Sequence, residues 1–127
     1  MTHNQSNIEE LKSKIKIGIK FWLEFEKDGS QKNIMGSGWA KLLKVIKENE
    51  DGSLIRAAEI CGYSYKYAWN ILKRIETRTG MPVVETKKGG KGGGGSIKLN
   101  EWGNFLLQYY EKIAEEINKI CKNINKM

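Results

Sequence analysis

Lysines and glycines make up most of a short segment in the second half of the chain. Residues 85–96 read Glu-Thr-Lys-Lys-Gly-Gly-Lys-Gly-Gly-Gly-Gly-Ser, so Lys87, Lys88 and Lys91 accompany a loop with few other side chains. Such a loop can follow a sugar-phosphate backbone closely while the lysine ammonium groups neutralise phosphates. The segment therefore predicts contact with the backbone of a nucleic acid.

A glycine-rich loop with a lysine also occurs in nucleotide-binding P-loops, where a Ser or Thr after the lysine binds magnesium. Here Gly92 follows Lys91, and the loop is predicted to join two strands, Val83–Thr86 and Ile97–Leu99, whereas a P-loop leads from a strand into a helix. The only histidine, His3, has no Cys, Asp or Glu cluster near it, so metal binding and acid-base catalysis lack their residues. We expect no enzyme, no metal site and no cofactor.

The residues before this loop have the pattern of a helix-turn-helix. Ser53 is a good N-cap for a helix that begins at Leu54, and Gly62 suits the backbone where that helix ends. Ser64 then caps a second helix. The apolar side of this second helix is formed by Ala68, Ile71, Leu72 and Ile75.

The opposite side of the second helix is polar and basic. Such a side is often ordinary solvent-exposed surface, but its N-terminal end is where a recognition helix meets base edges. The chain carries a net charge of +7, and residues 61–98 hold eight Lys or Arg residues against two glutamates. We therefore predict that it binds double-stranded DNA. The predicted DNA-binding residues are Ser64, Tyr65, Lys66, Tyr67, Asn70, Lys73 and Arg74 on the helix, and Lys87, Lys88 and Lys91 on the wing, which is the loop with its two strands.

The remaining patterns complete a mainly α, α+β fold with a winged helix-turn-helix. Residues 1–11 predict a flexible leader, and residues 12–127 a single domain. Apolar and polar residues alternate from Ile15 to Phe25, which indicates a strand with one buried face, and Asp28-Gly29 predicts a turn into a second strand. This hairpin is placed at 12–35 and the winged helix-turn-helix at 37–99. Asn100 is the predicted N-cap of a long last helix over 100–124.

The last helix carries an apolar stripe that is too long for one small domain to cover. Its second half has the spacing of a helix-helix seam, although the stripe could instead pack against the hairpin as ordinary core. We expect a homodimer. The predicted interface residues are Leu106, Tyr110, Ile113, Ile117 and Ile120.

No targeting or membrane-spanning segment is predicted, and a cytoplasmic location is expected. The two cysteines form no disulfide framework or zinc motif, which fits that location. Cys61 is predicted to be a small buried residue. A disulfide between two copies of Cys121 is conceivable but not expected.

Three of these motifs in this order resemble a known family. They are Ser64-Tyr65-Lys66-x-Ala68-Trp69, Val84-Glu85-Thr86 and the glycine run around Lys91. They are similar to the DNA-binding domain of ModE-type, molybdate-responsive regulators, whose helix-turn-helix is in turn similar to that of LysR-type regulators. The resemblance covers about residues 12–122 and implies a dimeric winged-helix transcription factor on a palindromic operator. Full-length members continue into a C-terminal oxoanion-binding domain, which we do not expect in a chain of this length.

Two functions remain open. The first is a sequence-specific transcriptional regulator, and the second is a nucleoid-type architectural protein that coats DNA with little base readout. Asn70 favours the first, because a side-chain amide facing the groove can bond adenine in a bidentate manner. The sequence shows no site for molybdate or tungstate. It does not identify a separate sensor protein that would act as a partner.

Overall fold

Five helices and four strands make up the part of the chain that the structure describes. The structure is a computed structural model and describes residues 2–49, 51–87 and 95–126 of the 127. Two antiparallel pairs, β1–β2 and β3–β4, are its sheets. The predicted fold class, mainly α with a winged helix-turn-helix, is confirmed. In chain order the elements are α1 (Thr2–Ser13), β1 (Leu23–Lys27), β2 (Ser30–Met35), α2 (Ser37–Glu48), α3 (Leu54–Cys61), α4 (Tyr65–Thr79), β3 (Val84–Lys87), β4 (Ser96–Leu99) and α5 (Glu101–Asn125).

The chain forms two compact units, one of residues 21–113 and one of residues 1–20 with 114–127. The first unit contains both sheets, the helices α2, α3 and α4, and the first half of α5. Its core draws side chains from each of these elements, which ties the helix-turn-helix to the hairpin and to the base of the wing. The largest fully buried side chains are Met35, Leu42, Leu43, Ile71, Ile75, Val83 and Leu107.

The turn of the N-terminal hairpin has the predicted form. Asp28 and Gly29 have φ values of 52° and 78°, as the two central residues of a tight hairpin turn with a primed geometry require. The strands pair from Leu23 with Met35 to Lys27 with Ser30.

The first strand of that hairpin is shorter than the sequence indicated. It begins at Leu23, and Ile15, Ile17 and Ile19 lie outside it with 70%, 37% and 49% of their surfaces exposed. A strand needs a partner for its backbone hydrogen bonds, and β2 pairs only with residues 23–27. The predicted buried face over residues 15–19 was wrong for this reason.

Helix α1 occupies Thr2–Ser13, where the sequence predicted a flexible leader over residues 1–11. The side chains described in it, from Asn7 onward, are all exposed. Lys12 Nζ lies 3.3 Å from a Glu9 carboxylate oxygen, and Lys14 Nζ lies 3.3 Å from one of Glu10. Pairs at these spacings support a helix locally, whereas the apolar periodicity used to recognise helices is weak in this segment.

Candidate nucleic-acid interface

The turn between α3 and α4 is built from the predicted capping residues. Ser53 Oγ accepts a hydrogen bond of 3.0 Å from the Arg56 amide at the start of α3. Gly62 ends that helix with a φ of 77°, in the left-handed region. Ser64 Oγ accepts a hydrogen bond of 3.0 Å from the Tyr67 amide and so caps α4. These caps determine where α4 begins, and therefore which side chains lie at its N-terminal end.

Small residues allow α3 and α4 to pack closely. Ala57, Ala58 and Ala68 are each no more than 1% exposed. A methyl side chain at these positions leaves little between the two helix backbones. The helix-turn-helix is therefore a rigid pair that can hold α4 in a defined orientation.

Tyr63 is a residue of this turn that the sequence analysis missed. Its hydroxyl donates a hydrogen bond of 3.0 Å to the carbonyl of Gly38 in α2, and its ring meets the Tyr67 ring edge-on with centroids 5.0 Å apart. Burial is the main reason that the pKa of the Tyr63 hydroxyl is raised, with smaller contributions from Cys61 and Tyr67. The hydroxyl therefore stays protonated and available as a donor. Tyr63 tethers the turn to α2, a long-range contact that no local pattern signals.

The predicted contact residues of α4 are all exposed. Tyr65, Lys66 and Tyr67 lie in its first turn. Asn70 follows Lys66 by four residues, and Arg74 follows Asn70 by four, so these three side chains share one side of the helix. The buried residues of α4, which are Ala68, Ile71, Leu72 and Ile75, face the core. The helix therefore presents a polar, basic side outward from a fixed apolar side.

Lys73 has partners within the chain. Its ammonium lies 3.7 Å from Glu76 Oε1 and 5.3 Å from the centroid of the Trp69 ring. The ion pair is largely exposed, so water screens it strongly. Lys66 and Arg74 form no ion pair with any described residue. On this side of α4, Lys66 and Arg74 therefore have fewer charged partners within the described part of the chain than Lys73 has.

Two other basic residues of segment 61–98 serve the fold. The Arg78 guanidinium donates a hydrogen bond to the Asn33 carbonyl of β2 and lies 5.8 Å from the Trp39 ring centroid. Lys98 Nζ lies 3.6 Å from Glu85 Oε2 on the facing strand. The charge count of the sequence included both residues, but the structure gives them partners in the hairpin and the wing.

The wing strands pair as predicted, from Val84 with Leu99 to Lys87 with Ser96. Lys87 is exposed at the end of β3, next to the glycine loop. The other two predicted wing residues, Lys88 and Lys91, lie outside the described residues, as does the rest of segment 88–94. Of the three predicted wing lysines, Lys87 is therefore the one whose position the structure describes.

The base of the wing rests on the turn that precedes α3. The Ile97 amide donates a hydrogen bond of 2.8 Å to the Gly52 carbonyl. Gly52 has a φ of 70°, and a Cβ added to it would lie 2.8 Å from the Ser96 Cβ. Only glycine permits this close approach. Gly52 thus links the wing to the helix-turn-helix.

Leu106, one of the predicted dimer residues, requires a correction. It is 4% exposed and lies in the core of the unit formed by residues 21–113. Helix α5 turns Gly103, Leu106 and Leu107 inward together. A side chain already covered by its own chain offers no surface to a second copy.

The other four predicted dimer residues retain some surface. Tyr110 is half-buried: its ring stacks on Phe21 with centroids 4.5 Å apart, and burial raises the pKa of its hydroxyl. Ile113 and Ile117 are half-buried, and Ile120 is 55% exposed. These residues follow one another at helical spacing along α5.

Cys61 is buried, as predicted, and Cys121 is half-buried; both are free thiols. Burial raises the pKa of the Cys61 thiol, and the Lys41 ammonium offsets this only in part. Across residues 2–49, 51–87 and 95–126, no three His, Cys, Asp or Glu side chains come together as a metal site. In the same part of the chain no helix has the length and apolar character needed to cross a membrane.

Comparison with known proteins finds relatives named ModE and MopB. Over 73 residues, or 58% of its length, the chain is 40% identical to the transcriptional regulator ModE of Yersinia pestis, covering 27% of that protein. It is 38% identical over 64 residues, 50% of its length, to the DNA-binding transcriptional dual regulator ModE of Escherichia coli K12, covering 24% of it. The molybdenum-pterin-binding protein MopB of Rhodobacter capsulatus is 34% identical over 92 residues, 72% of the chain and 33% of MopB.

The chain therefore spans about a quarter to a third of the length of these relatives. No protein-family model matches it. The similarity supports the resemblance to ModE-type regulators that the sequence motifs indicated.

Proposed function

We propose that this chain is a DNA-binding transcriptional regulator that recognises a specific, palindromic operator as a homodimer. The observation that carries the proposal is the exposed polar and basic side of α4, held by serine caps in a rigid helix-turn-helix. The names of the two ModE relatives, both of them transcriptional regulators, support it. The match covers no more than about a third of the relatives named above, so the proposal takes nothing from the remainder of their length.

In the proposed complex, α4 enters the major groove by its N-terminal end. Lys66 and Tyr67 lie in its first turn and reach base edges, and Asn70 reads a base one turn further along. Arg74 lies beyond Asn70 on the same side and contacts a phosphate. The wing extends from β3 and β4, so that Lys87 and the lysines after it neutralise phosphates alongside.

A dimer is part of the proposal because a single winged helix covers only a short half-site. Two copies held at a fixed spacing read two half-sites about one helical turn of DNA apart. We place their contact on α5, along Tyr110, Ile113, Ile117 and Ile120. Footprinting on genomic fragments in the presence of excess competitor DNA tests the function directly, and protection of a discrete palindromic site is the expected result.

Readout by Asn70 separates a regulator from an architectural protein. The Asn70→Ala variant should bind its operator more weakly while binding random DNA as before, because a good base contact contributes about 1–3 kcal/mol of discrimination. Titration of operator and random duplexes at one salt concentration measures both affinities. Asn123→Ala, an exposed asparagine near the end of α5, is the matched control and should change neither. Equal loss on both duplexes would contradict direct readout by Asn70, and operator binding no tighter than random binding in the unaltered protein would favour the nucleoid-type alternative.

The wing lysines should act through charge and without regard to sequence. Replacing Lys87, Lys88 and Lys91 together with alanine is expected to weaken binding to all duplexes alike. It should also reduce the slope of log affinity against log salt by up to about 0.9 for each phosphate that is no longer neutralised. The control removes three exposed lysines near the end of the chain, Lys112 and Lys122 of α5 and Lys126 just after it, so that the net charge is the same. If the wing variant and the control variant have the same salt slope, the wing does not contact phosphates.

A further inference from the structure

A groove lined by aromatic residues runs between β1 and the first half of α5, within the unit formed by residues 21–113. It consists of two cavities of about 590 and 380 Å³ that share Phe25 and Phe105. Trp102 lines the first cavity, and Trp22 and Tyr109 line the second. The exposed fractions of Trp22, Phe105 and Tyr109 are 52%, 50% and 52%. The proposed DNA contact uses none of these residues, so the groove is an apolar surface without an assigned role.

The charge of this groove is opposite to that of the chain. Its walls include Glu24, Glu85 and Glu101 but no lysine or arginine among the described residues, although the chain has a net charge of +7. Glu85 is paired with Lys98, and Glu24 accepts a hydrogen bond of 2.8 Å from the Trp22 indole. Glu101 forms no ion pair with a described residue. An occupant that suits the groove is therefore both apolar and basic.

The groove lies along an open strand edge. Trp22 and Leu23, whose side chains point to opposite faces of an extended chain, both line the second cavity. This places the cavity at the edge of β1. Strand β1 pairs with β2 on one side, and no described backbone group pairs with its other side. An unpaired edge beside an apolar groove is the geometry that accepts an added strand.

The chain itself contains a segment with the complementary chemistry. Residues 14–20 read Lys-Ile-Lys-Ile-Gly-Ile-Lys and form neither helix nor strand. When extended, they place Ile15, Ile17 and Ile19 on one face and the lysines on the other. All three isoleucines are exposed. The segment is thus an apolar and basic strand without a strand partner among the described residues.

The geometry points to exchange of this segment between two copies of the chain. Residues 14–20 of one copy add to the open edge of β1 in the second, with the isoleucines in the aromatic groove and the lysines on the face of β1 that carries Glu24. Only Phe21 and Trp22 separate the segment from β1, so folding it back onto this edge within one chain would need a two-residue turn. A two-residue hairpin turn requires positive φ, and neither residue has it.

This inference rests on the proposed homodimer and adds a second contact to the one on α5. Seven extended residues span about 23 Å, which is long enough to reach a neighbouring copy of the chain. In a two-fold symmetric dimer the exchange is reciprocal, so that two segments and two grooves are satisfied at once.

Disulfide trapping between two distinguishable chains tests the exchange. Both chains carry Cys61→Ala and Cys121→Ala; one also carries Ile17→Cys and the other, with an affinity tag, Phe105→Cys. After mixing, we expect a mixed disulfide to form about a hundredfold faster than by random collision at about 10 μM, because docking raises the local thiol concentration to the millimolar range. Ile8→Cys replaces Ile17→Cys in the control, since Ile8 is also an exposed isoleucine but lies in α1.

The outcomes separate this inference from the proposed dimer. A dimer by sedimentation with no enhancement over the Ile8 control overturns strand exchange and leaves the α5 contact in place. A monomer by sedimentation overturns both strand exchange and the α5 contact. DNA binding is tested separately by the DNA titrations. In a second variant, Ile15, Ile17 and Ile19 are changed to serine, and the dimer dissociation constant should rise at least about tenfold with an unchanged circular dichroism spectrum. An unchanged dimer dissociation constant in this variant overturns the exchange, and the groove would then bind a different protein.

Discussion

Replacing Ile113 and Ile117 with glutamate is expected to give a folded monomer that has lost nearly all preference for its operator. Both positions lie on the stripe of α5 proposed as the dimer contact, and two buried carboxylates there would lose their hydration without a partner. A monomer reads one half-site, so operator affinity should fall by about a thousandfold or more, toward the level of nonspecific binding. Sedimentation measures the first effect, and titration with operator and random DNA measures the second.

The control places the same charges on the opposite side of the same helix. Gln108 and Asn118 are exposed polar residues. Each is five positions from Ile113, which places it about 140° around the helix axis from that residue. Changing both to glutamate should leave the dimer intact. Ile113 also packs at the margin of the core, so Ile117→Glu alone serves as a second variant if the double variant loses structure. A dimer that survives both variants, or a monomer that keeps full operator affinity, would show that the interface lies elsewhere.

Gly103→Ala is expected to destabilise the protein strongly, although alanine is the better helix former. In an unobstructed helix this change would stabilise by about 1 kcal/mol. Here a Cβ would lie 2.2 Å from the Val83 carbonyl oxygen. That oxygen also accepts a hydrogen bond of 3.0 Å from the Asn100 amide. Because the obstacle is backbone and is held in place, we expect a loss of about 3 kcal/mol in the free energy of unfolding.

Thermal and urea unfolding measure this effect, and a fall in Tm of roughly 10 °C is expected for a chain of this size. Gly18→Ala is the control, since a Cβ at Gly18 meets no atom within 4 Å, and its stability should change by less than about 0.5 kcal/mol. A Gly103→Ala variant as stable as the unaltered protein would mean that α5 does not pack this closely on the segment before the wing.

Gly103, Ile113 and Ile117 all lie in α5, but they belong to different contacts. The Asn100 side chain ties the start of α5 to the segment just before the wing, because it accepts a hydrogen bond from the Gly103 amide at 2.8 Å and donates one to the Pro82 carbonyl at 2.7 Å. A contact made by the second half would therefore act on a helix that starts at the base of the wing. In the proposed dimer, this connection sets the spacing of the two recognition helices.

Sequence alone determined the ends of the helices that build the interface. Ser53, Ser64 and Asn100 each cap a helix, and Gly62 ends one in the left-handed region, as the sequence predicted. The reason is that a cap involves a side chain and an amide only three residues away. A short stretch of sequence therefore contains both partners of the hydrogen bond. The inward side of α4 was predictable for the same reason, since helical spacing alone places Ala68, Ile71, Leu72 and Ile75 together.

Tertiary structure decided what is buried and which cations have partners. The alternation at Ile15, Ile17 and Ile19 matches a half-buried strand, yet β2 ends before it can pair with them, so they are exposed. Leu106 fits the apolar stripe of α5 but is buried in the core, and Arg78 fits the basic side of α4 but bonds to the hairpin. Each outcome depends on a contact between residues far apart in the chain. Local spacing shows that such a residue is apolar or charged, and only the packing of distant elements determines what it meets.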